Sequence, residues 1–188
     1  MGKAIVYTAL VIVCLGIGLI VGGLGVYYGR PYYEPQPQSI QIIKAKCYPM
    51  ANGGGPSIEG EISLSQTSNK HLVINALIDG LPKKELGFHI HSFGVVNNNC
   101  SSAGGHFNPE GKNHGGPNSM ERHMGDLGNI DASKFPHKEV EITDKKASLF
   151  GKDSIIGRSI VIHEDTDDLK NQSSAGGRLA CCTIIRVD

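Results

Sequence analysis

Short apolar runs that alternate with polar residues, each ended by Gly, Pro, Asn or Ser, dominate the chain from Ser39 onward. Ile40-Gln41-Ile42-Ile43-Lys44-Ala45, Ile58-Glu59-Gly60-Glu61-Ile62-Ser63-Leu64, Leu72-Val73-Ile74-Asn75-Ala76-Leu77-Ile78 and Phe88-His89-Ile90-His91 all have this form. A period of two sends successive side chains to opposite faces, as in a half-buried strand, and the punctuating residues are those that turns use. Leu127 to Ile130, Glu139 to Thr143, Ser159 to His163 and Leu179 to Val187 continue the pattern. About eight short strands so spaced predict an all-β sandwich or flattened barrel. The 25 glycines, absence of tryptophan and 6% aromatic content suit many turns better than packed helices.

The 188 residues suit one globular domain with a short appendage. Residues 1–30 are that appendage. No charged residue occurs from Ala4 to Gly29, and Lys3 and Arg30 bracket the run. It exceeds the roughly 20 apolar residues that span a bilayer, which predicts an N-terminal hydrophobic helix. Its length favours an uncleaved signal-anchor with the C-terminal domain outside; Gly23-Leu24-Gly25 offers a cleavage site for the alternative, a secretory signal peptide. Either way the segment engages membrane or secretion machinery and the expected location is extracellular. Residues 31–38, with three prolines, read as a stiff stem. Residues 39–188 form the domain. Formal net charge is zero, so no nucleic-acid partner is implied.

Six of the eight histidines and one aspartate, all within residues 89–163, fall at spacings that suit two adjacent metal sites. His89 and His91 share one strand face, so both imidazoles can reach one ion. His106, His114, His123 and Asp126 follow along a Gly/Asn/Pro-rich stretch, and His163 ends the run Ile160-Val161-Ile162. An all-imidazole set, His89, His91, His106 and His163, suits copper, while mixed histidine and carboxylate ligands suit zinc. His114, His123 and Asp126 want a fourth ligand. A histidine has two ring nitrogens, and His106 lies between the groups in sequence, so it is the candidate to close both. The stretch from Phe93 to Asp126 has little strand signal. Three ligands inside it make it a functional loop, ordered by metal where burial cannot order it.

Five runs in order carry a resemblance: Gly87-Phe88-His89-Ile90-His91, Ala103-Gly104-Gly105-His106-Phe107-Asn108-Pro109, His114-Gly115-Gly116-Pro117, Glu121-Arg122-His123-Met124-Gly125-Asp126-Leu127-Gly128-Asn129, and Gly176-Gly177-Arg178-Leu179-Ala180-Cys181. From roughly Ser39 to Asp188 the chain resembles copper/zinc superoxide dismutase. The resemblance implies an eight-stranded Greek-key β-barrel or sandwich, immunoglobulin-like in architecture, with long metal-binding loops; superoxide dismutases are themselves a standard example of that class. It implies superoxide as substrate, redox cycling at copper, and zinc in a structural and electrostatic role. His106 would join the two metals. Asp167 would hydrogen-bond ligands of both, and Arg178 would attract the anion at the channel mouth. It also implies a disulfide between Cys100 and Cys181 and a homodimer, for which Val95-Val96 and Ile155-Ile156-Gly157 offer an apolar patch.

Residue by residue, Cys14 reads as a small hydrophobe in the apolar segment and Cys47 as a buried strand residue. Cys182, on the strand face opposite Cys181, is expected as a free thiol, with Cys100–Cys182 pairing left as the alternative. His71, His137 and Asp168 are expected at the surface. Two departures from the family pattern stand out. Residues 169–177 form a shorter loop than the family's electrostatic loop, without its usual acidic pair and lysine, so copper is expected to be more open and steering to rest on Arg178 and the metals. Leu86 stands where the family commonly has histidine. Asn99-Cys100-Ser101 and Asn171-Gln172-Ser173 are glycosylation sequons.

Overall fold

Alternation along Leu72–Asp79 decides one face of the fold: Leu72, Ile74, Ala76 and Ile78 are fully buried and the residues between them are not. The computed structural model describes residues 40–188 apart from Pro56, His137 and Lys138. The expected N-terminal helix and stem therefore lie outside the described residues. The strands are β1 (Ile42–Cys47), β2 (Met50–Ala51), β3 (Glu59–Thr67), β4 (Leu72–Asp79), β5 (Glu85–His91), β6 (Asp126–Asp131), β7 (Val140–Asp144), β8 (Ser159–His163), β9 (Arg178–Thr183) and β10 (Ile185–Val187).

They form two antiparallel five-stranded sheets, ordered β10-β1-β3-β4-β7 and β2-β9-β8-β5-β6. The non-consecutive neighbours β4–β7 and β5–β8 give the expected Greek-key character. One core fills the space between the sheets, with Ile62, Leu64 and Ile74 from the first meeting Phe88, Ile90, Ile160 and Ile162 from the second. Ten strands replace the expected eight or so among the described residues. Met50–Ala51 is too short to show a period, and the run from Leu179 to Val187 divides at Ile184, where the chain passes from one sheet to the other. The first strand does the same between β1 and β2, so both ends of the domain change sheets at one corner.

That corner corrects the reading of Cys182. It is bonded to Cys47, with Cα atoms 5.4 Å apart, and Cys100 is bonded to Cys181 at 5.7 Å. Neighbours on a strand do point to opposite faces: Cys182 lies in the main core and Cys181 in a small cluster outside it with Val161 and Ala103. The inward face of β9 meets the inward end of β1, where Cys47 waits. Cys182 is therefore not a free thiol, and it does not pair with Cys100.

β5 is buried on both faces. Leu86, Phe88 and Ile90 enter the core, while His89 and His91 point the other way and are covered by loops. Leu86 thus faces away from the histidines and has no part in their site. The covering segment returns onto β5 through Ile90 and Phe107, which exchange backbone bonds with Gly125 and each other at 2.8–2.9 Å. Gly125 makes this close approach possible, because a Cβ there would lie 2.1 Å from the Ile90 carbonyl oxygen.

Candidate metal centre

The outward face of β5 supplies His89 and His91, and pairing of Phe88 with Ile162 brings the end of β8, His163, beside them. His106 joins from the loop through a single bridge to His91. Two groups result, His89/His91/His106/His163 and His106/His114/His123/Asp126, each with ligand atoms within 4.8 Å of one another. These are the two sets expected from the sequence, and His106 is common to both.

Hydrogen bonds decide which nitrogen each ring offers. His91 Nδ1 bonds the Gly104 carbonyl at 2.9 Å and His163 Nδ1 the Gly176 carbonyl at 3.4 Å, and their Nε2 atoms converge at 3.3 Å. His89 instead commits Nε2 to Asp167, at 2.8 Å. In the second group Asp126 Oδ1 lies 2.7 Å from His106 Nδ1 and 3.1 Å from both His114 Nδ1 and His123 Nδ1. Its Oδ2 accepts from the Gly115 and His123 amides at 3.0 and 2.8 Å. One carboxylate oxygen thus faces three ring nitrogens, a mix of donor types that suits zinc.

The donors fit the ions on a further count. His89 Nδ1 and His114 Nδ1 are buried without a hydrogen-bond partner among the described residues; the His114–Asp126 approach is a contact whose angle makes no bond. An unpaired buried nitrogen costs about 1–3 kcal/mol, a cost that metal coordination removes. Both rings turn that nitrogen toward their group because Asp167 holds the other: His114 Nε2 lies 3.0 Å from Asp167 Oδ1. Asp167 thus touches both groups. Asn129 on β6 clamps it, donating from Nδ2 to its carbonyl (3.0 Å) and accepting its amide (2.7 Å). Burial pushes the Asp167 carboxyl up, but the His89 and His114 rings and the Leu169 amide overcome this and hold it well below its ordinary value.

Burial also keeps four of the rings neutral. It pulls His91 down to about 2 and His163 to about 4, and it lowers His89 and His123. Burial raises Asp126, yet the hydrogen bonds from His106 and the Gly115 amide bring it down to about 2. The unfolded chain takes up histidine protons near pH ~6.5 that the folded chain refuses. Metal-free protein is therefore expected to be fully stable above that pH and to weaken below it. The slope is about 1.4 kcal/mol per pH unit for each histidine kept neutral. His163 stops contributing near its folded value of about 4 and His91 near about 2. Denaturant midpoints of metal-free protein against pH check this, and a flat profile from neutrality to about pH 5 would contradict it.

Arg178 opens β9. Its guanidinium donates to the Cys100 and Gly104 carbonyls, and burial lowers its pKa. It borders a recess of about 260 Å³ together with His91, His106, His163, Gln172 and Ser173. His71 is exposed and apart from the site, Asp168 is exposed, and His137 lies outside the described residues. Several supporting residues escaped sequence reasoning. Arg122, 1% exposed, donates to the His123, Met124 and Asp126 carbonyls and pairs with Asp144 of β7 at 2.6 Å. Gly87 leaves room for the site, since a Cβ there would lie 2.8 Å from Ala175 Cβ and 3.3 Å from His163 Cβ.

The profile of the family described as "Copper/zinc superoxide dismutase (SODC)" matches residues 58–184. The chain belongs to the copper/zinc superoxide dismutase family. It is similar to "Superoxide dismutase [Cu-Zn] 5" of Dictyostelium discoideum, 46% identical over 139 residues that cover 69% of this chain and 91% of the relative. It is 42% identical over 159 residues to "Extracellular superoxide dismutase [Cu-Zn]" of Caenorhabditis elegans, covering 79% and 72%. Among solved structures it resembles the clock protein EA4, with a TM-score of 0.67, 37% identity, and coverage of 75% of this chain and 92% of that one. Like its family, the chain is a superoxide dismutase, an oxidoreductase whose copper and zinc fit the two groups of ligands.

Proposed function

We propose that His89, His91, His106 and His163 hold the copper, that His106, His114, His123 and Asp126 hold the zinc, and that Arg178 receives superoxide. The sharing of His106 between the two groups carries this reading. Its Nδ1 faces Asp126, which leaves Nε2 for the copper group. Copper, when bound, supplies the redox couple by which one superoxide leaves as dioxygen and a second, with two protons, leaves as hydrogen peroxide. His106 holds or releases a proton at Nε2, while Asp126 keeps its other nitrogen on the zinc side. The Arg178 guanidinium offers donors and no acceptor, which suits a small anion. Its two carbonyl partners fix its plane, which a lysine cannot reproduce. The test is metal analysis and superoxide consumption on one sample: two metals with turnover are expected, and metals without turnover sink the assignment.

Residues 169–177 are largely exposed turns; they do contain a lysine, Lys170, as their one charged side chain, and no acidic pair. Attraction of the substrate then falls mainly to Arg178 and the metals. Electrostatic steering and near-diffusion-limited rates are known properties of superoxide dismutases rather than inferences from this chain. Here kcat/KM is expected to fall only shallowly with added salt, and Arg178→Gln to lower it by roughly 10-fold, the low end of steering effects. A salt dependence as steep as in full-loop relatives counts against this.

The C-terminal domain, residues 39–188, is further proposed to act outside the cell, carried there by residues 1–30 and spaced by the stem 31–38. Two disulfides within the domain suit an oxidising compartment, and the nematode relative bears an extracellular name. The length of the apolar run favours anchoring over release. Recovery of the expressed chain in carbonate-washed membranes is expected; a soluble product beginning near residue 25 would establish cleavage instead. A homodimer is proposed through Phe93 and Val96, 64% and 60% exposed, with Ile156 nearby: a Cβ on Gly94 would lie 2.9 Å from the Gly157 carbonyl. Ile155 takes no part, being wholly buried in the core. Sedimentation decides this, with Val96→Glu expected to give monomers; a wild-type monomer at micromolar concentration ends the idea.

A further inference from the structure

Two sequons, Asn99-Cys100-Ser101 and Asn171-Gln172-Ser173, play no part in the chemistry above, and their surroundings differ. Both asparagines are exposed, and each accepts a hydrogen bond from the serine amide two residues on, at 3.0 and 3.1 Å. At the first, the middle residue Cys100 is wholly buried, bonded to Cys181, and held through its amide by Asn52. Asn99 also lies three residues from Val96, beside the proposed dimer patch. A glycan there would compete with the disulfide and obstruct the interface. At the second, all three residues are exposed, and Asn171 Nδ2 has no hydrogen-bond partner among the described residues. The turn is fixed by Asp168, which accepts the Lys170 and Asn171 amides at 2.8 and 2.7 Å, and by the Ser174 amide on the Asn171 carbonyl at 2.9 Å. The next two residues, Gln172 and Ser173, line the recess with His91, His106, His163 and Arg178.

We propose that Asn171 is N-glycosylated and that its glycan stands at the mouth of the metal recess, admitting small anions and holding back large molecules. In the step itself, Asn171 Nδ2 bonds the anomeric carbon of an oligosaccharide carried on a lipid diphosphate. The bond from that carbon to the diphosphate oxygen breaks, the diphosphate leaves, and the amide proton passes to a base of the transferase. A neutral oligosaccharide leaves the field of Arg178 in place, while its bulk covers a rim that the short 169–177 loop leaves open. The proposal rests on the extracellular reading, because only a translocated chain meets the transferase.

The experiment expresses the full chain, with its own N-terminal segment, in a eukaryotic cell, and maps glycopeptides before and after enzymatic deglycosylation. Conversion of Asn171 to aspartate on glycan release is expected, with Asn99 unmodified. Asn171→Gln is expected to abolish the mobility shift and Asn99→Gln to leave it. A translocated, protease-protected chain that is bare at Asn171, or glycosylated at Asn99 alone, overturns this proposal by itself; a chain left in the cytosol overturns it together with the extracellular reading. The covering role is read by peptide mapping with phenylglyoxal, a bulky arginine reagent. Deglycosylation is expected to speed modification of Arg178 severalfold and to leave that of exposed Arg186 on β10 unchanged. An unaltered rate at Arg178 overturns the covering role.

Discussion

Asp167→Ala is expected to weaken copper and zinc binding together, each by about 10- to 100-fold, the usual cost of removing a partner that orients metal ligands. The reason is geometric. One carboxylate accepts hydrogen bonds from Nε2 of His89 and of His114, one ring from each group, and so leaves Nδ1 of each free for metal. Without it, either nitrogen of either ring can carry the proton, and part of the population presents N–H where a lone pair is needed. Asp167→Asn sharpens the test. An amide accepts at one end and donates at the other, so it satisfies one ring only by turning its NH₂ on the second. That ring must then move its proton to Nδ1, facing the metal. The asparagine variant is expected to lose one metal more severely than the other, whereas alanine loosens both. Chelator competition for each ion in the purified variants measures this. Unchanged zinc affinity in Asp167→Ala would remove Asp167 from its proposed role.

The same residue shows what a sequence can and cannot disclose. The two groups of histidines and aspartate were legible because their chemistry is written in residue type, and two of the proposed copper ligands lie on one strand at a spacing of two. Most strands were legible for the same reason: along β4 the alternation marks the buried face residue by residue, and along β5, buried on both faces, it puts His89 and His91 together on one of them. Supports that depend on pairing across the fold were not. Arg122 and Asp144 are 22 residues apart and look like ordinary surface charges until the long loop folds onto β7. The bond between Cys47 and Cys182 was missed for a more local reason. Cys47 was placed correctly as a buried strand residue, but the apolar alternation of the first strand fades at Ala45, so nothing in the sequence set Cys47 against the inward face of the last strand. The opposite facing of Cys181 and Cys182 was correct, and continuing the parity of Ala45 to Cys47 supplies the missing partner. Met50–Ala51 offered no comparable signal, being a strand only through its pairing with β9.

Replacing Cys47 and Cys182 together by alanine is expected to cost about 4 kcal/mol, within the 2–5 kcal/mol typical of native disulfides. The bond spans 135 residues, but Cys100–Cys181 already closes 81 of them. With that bond intact, the shortest remaining loop is only about 55 residues, and chain entropy for such a loop gives the figure quoted. The two bonds therefore do not add as independent loops. For a domain of this size the loss corresponds to a melting shift on the order of 10 °C. Its location matters as much as its size. Cys47 ends β1 and Cys182 lies on β9, the two strands that change sheets at the same corner, so the bond ties the sheets where the barrel would otherwise open. The metal ligands sit on β5, β6, β8 and the loops above them, away from that corner. Turnover of the loaded variant at room temperature is accordingly expected to match wild type while its midpoint falls. Cys100→Ala should behave oppositely at the site, because Arg178 rests on the Cys100 carbonyl and loses a tethered support. Alkylation of the unfolded, unreduced wild-type chain is the direct check: Cys47 or Cys182 reacting there would mean that the corner is not cross-linked.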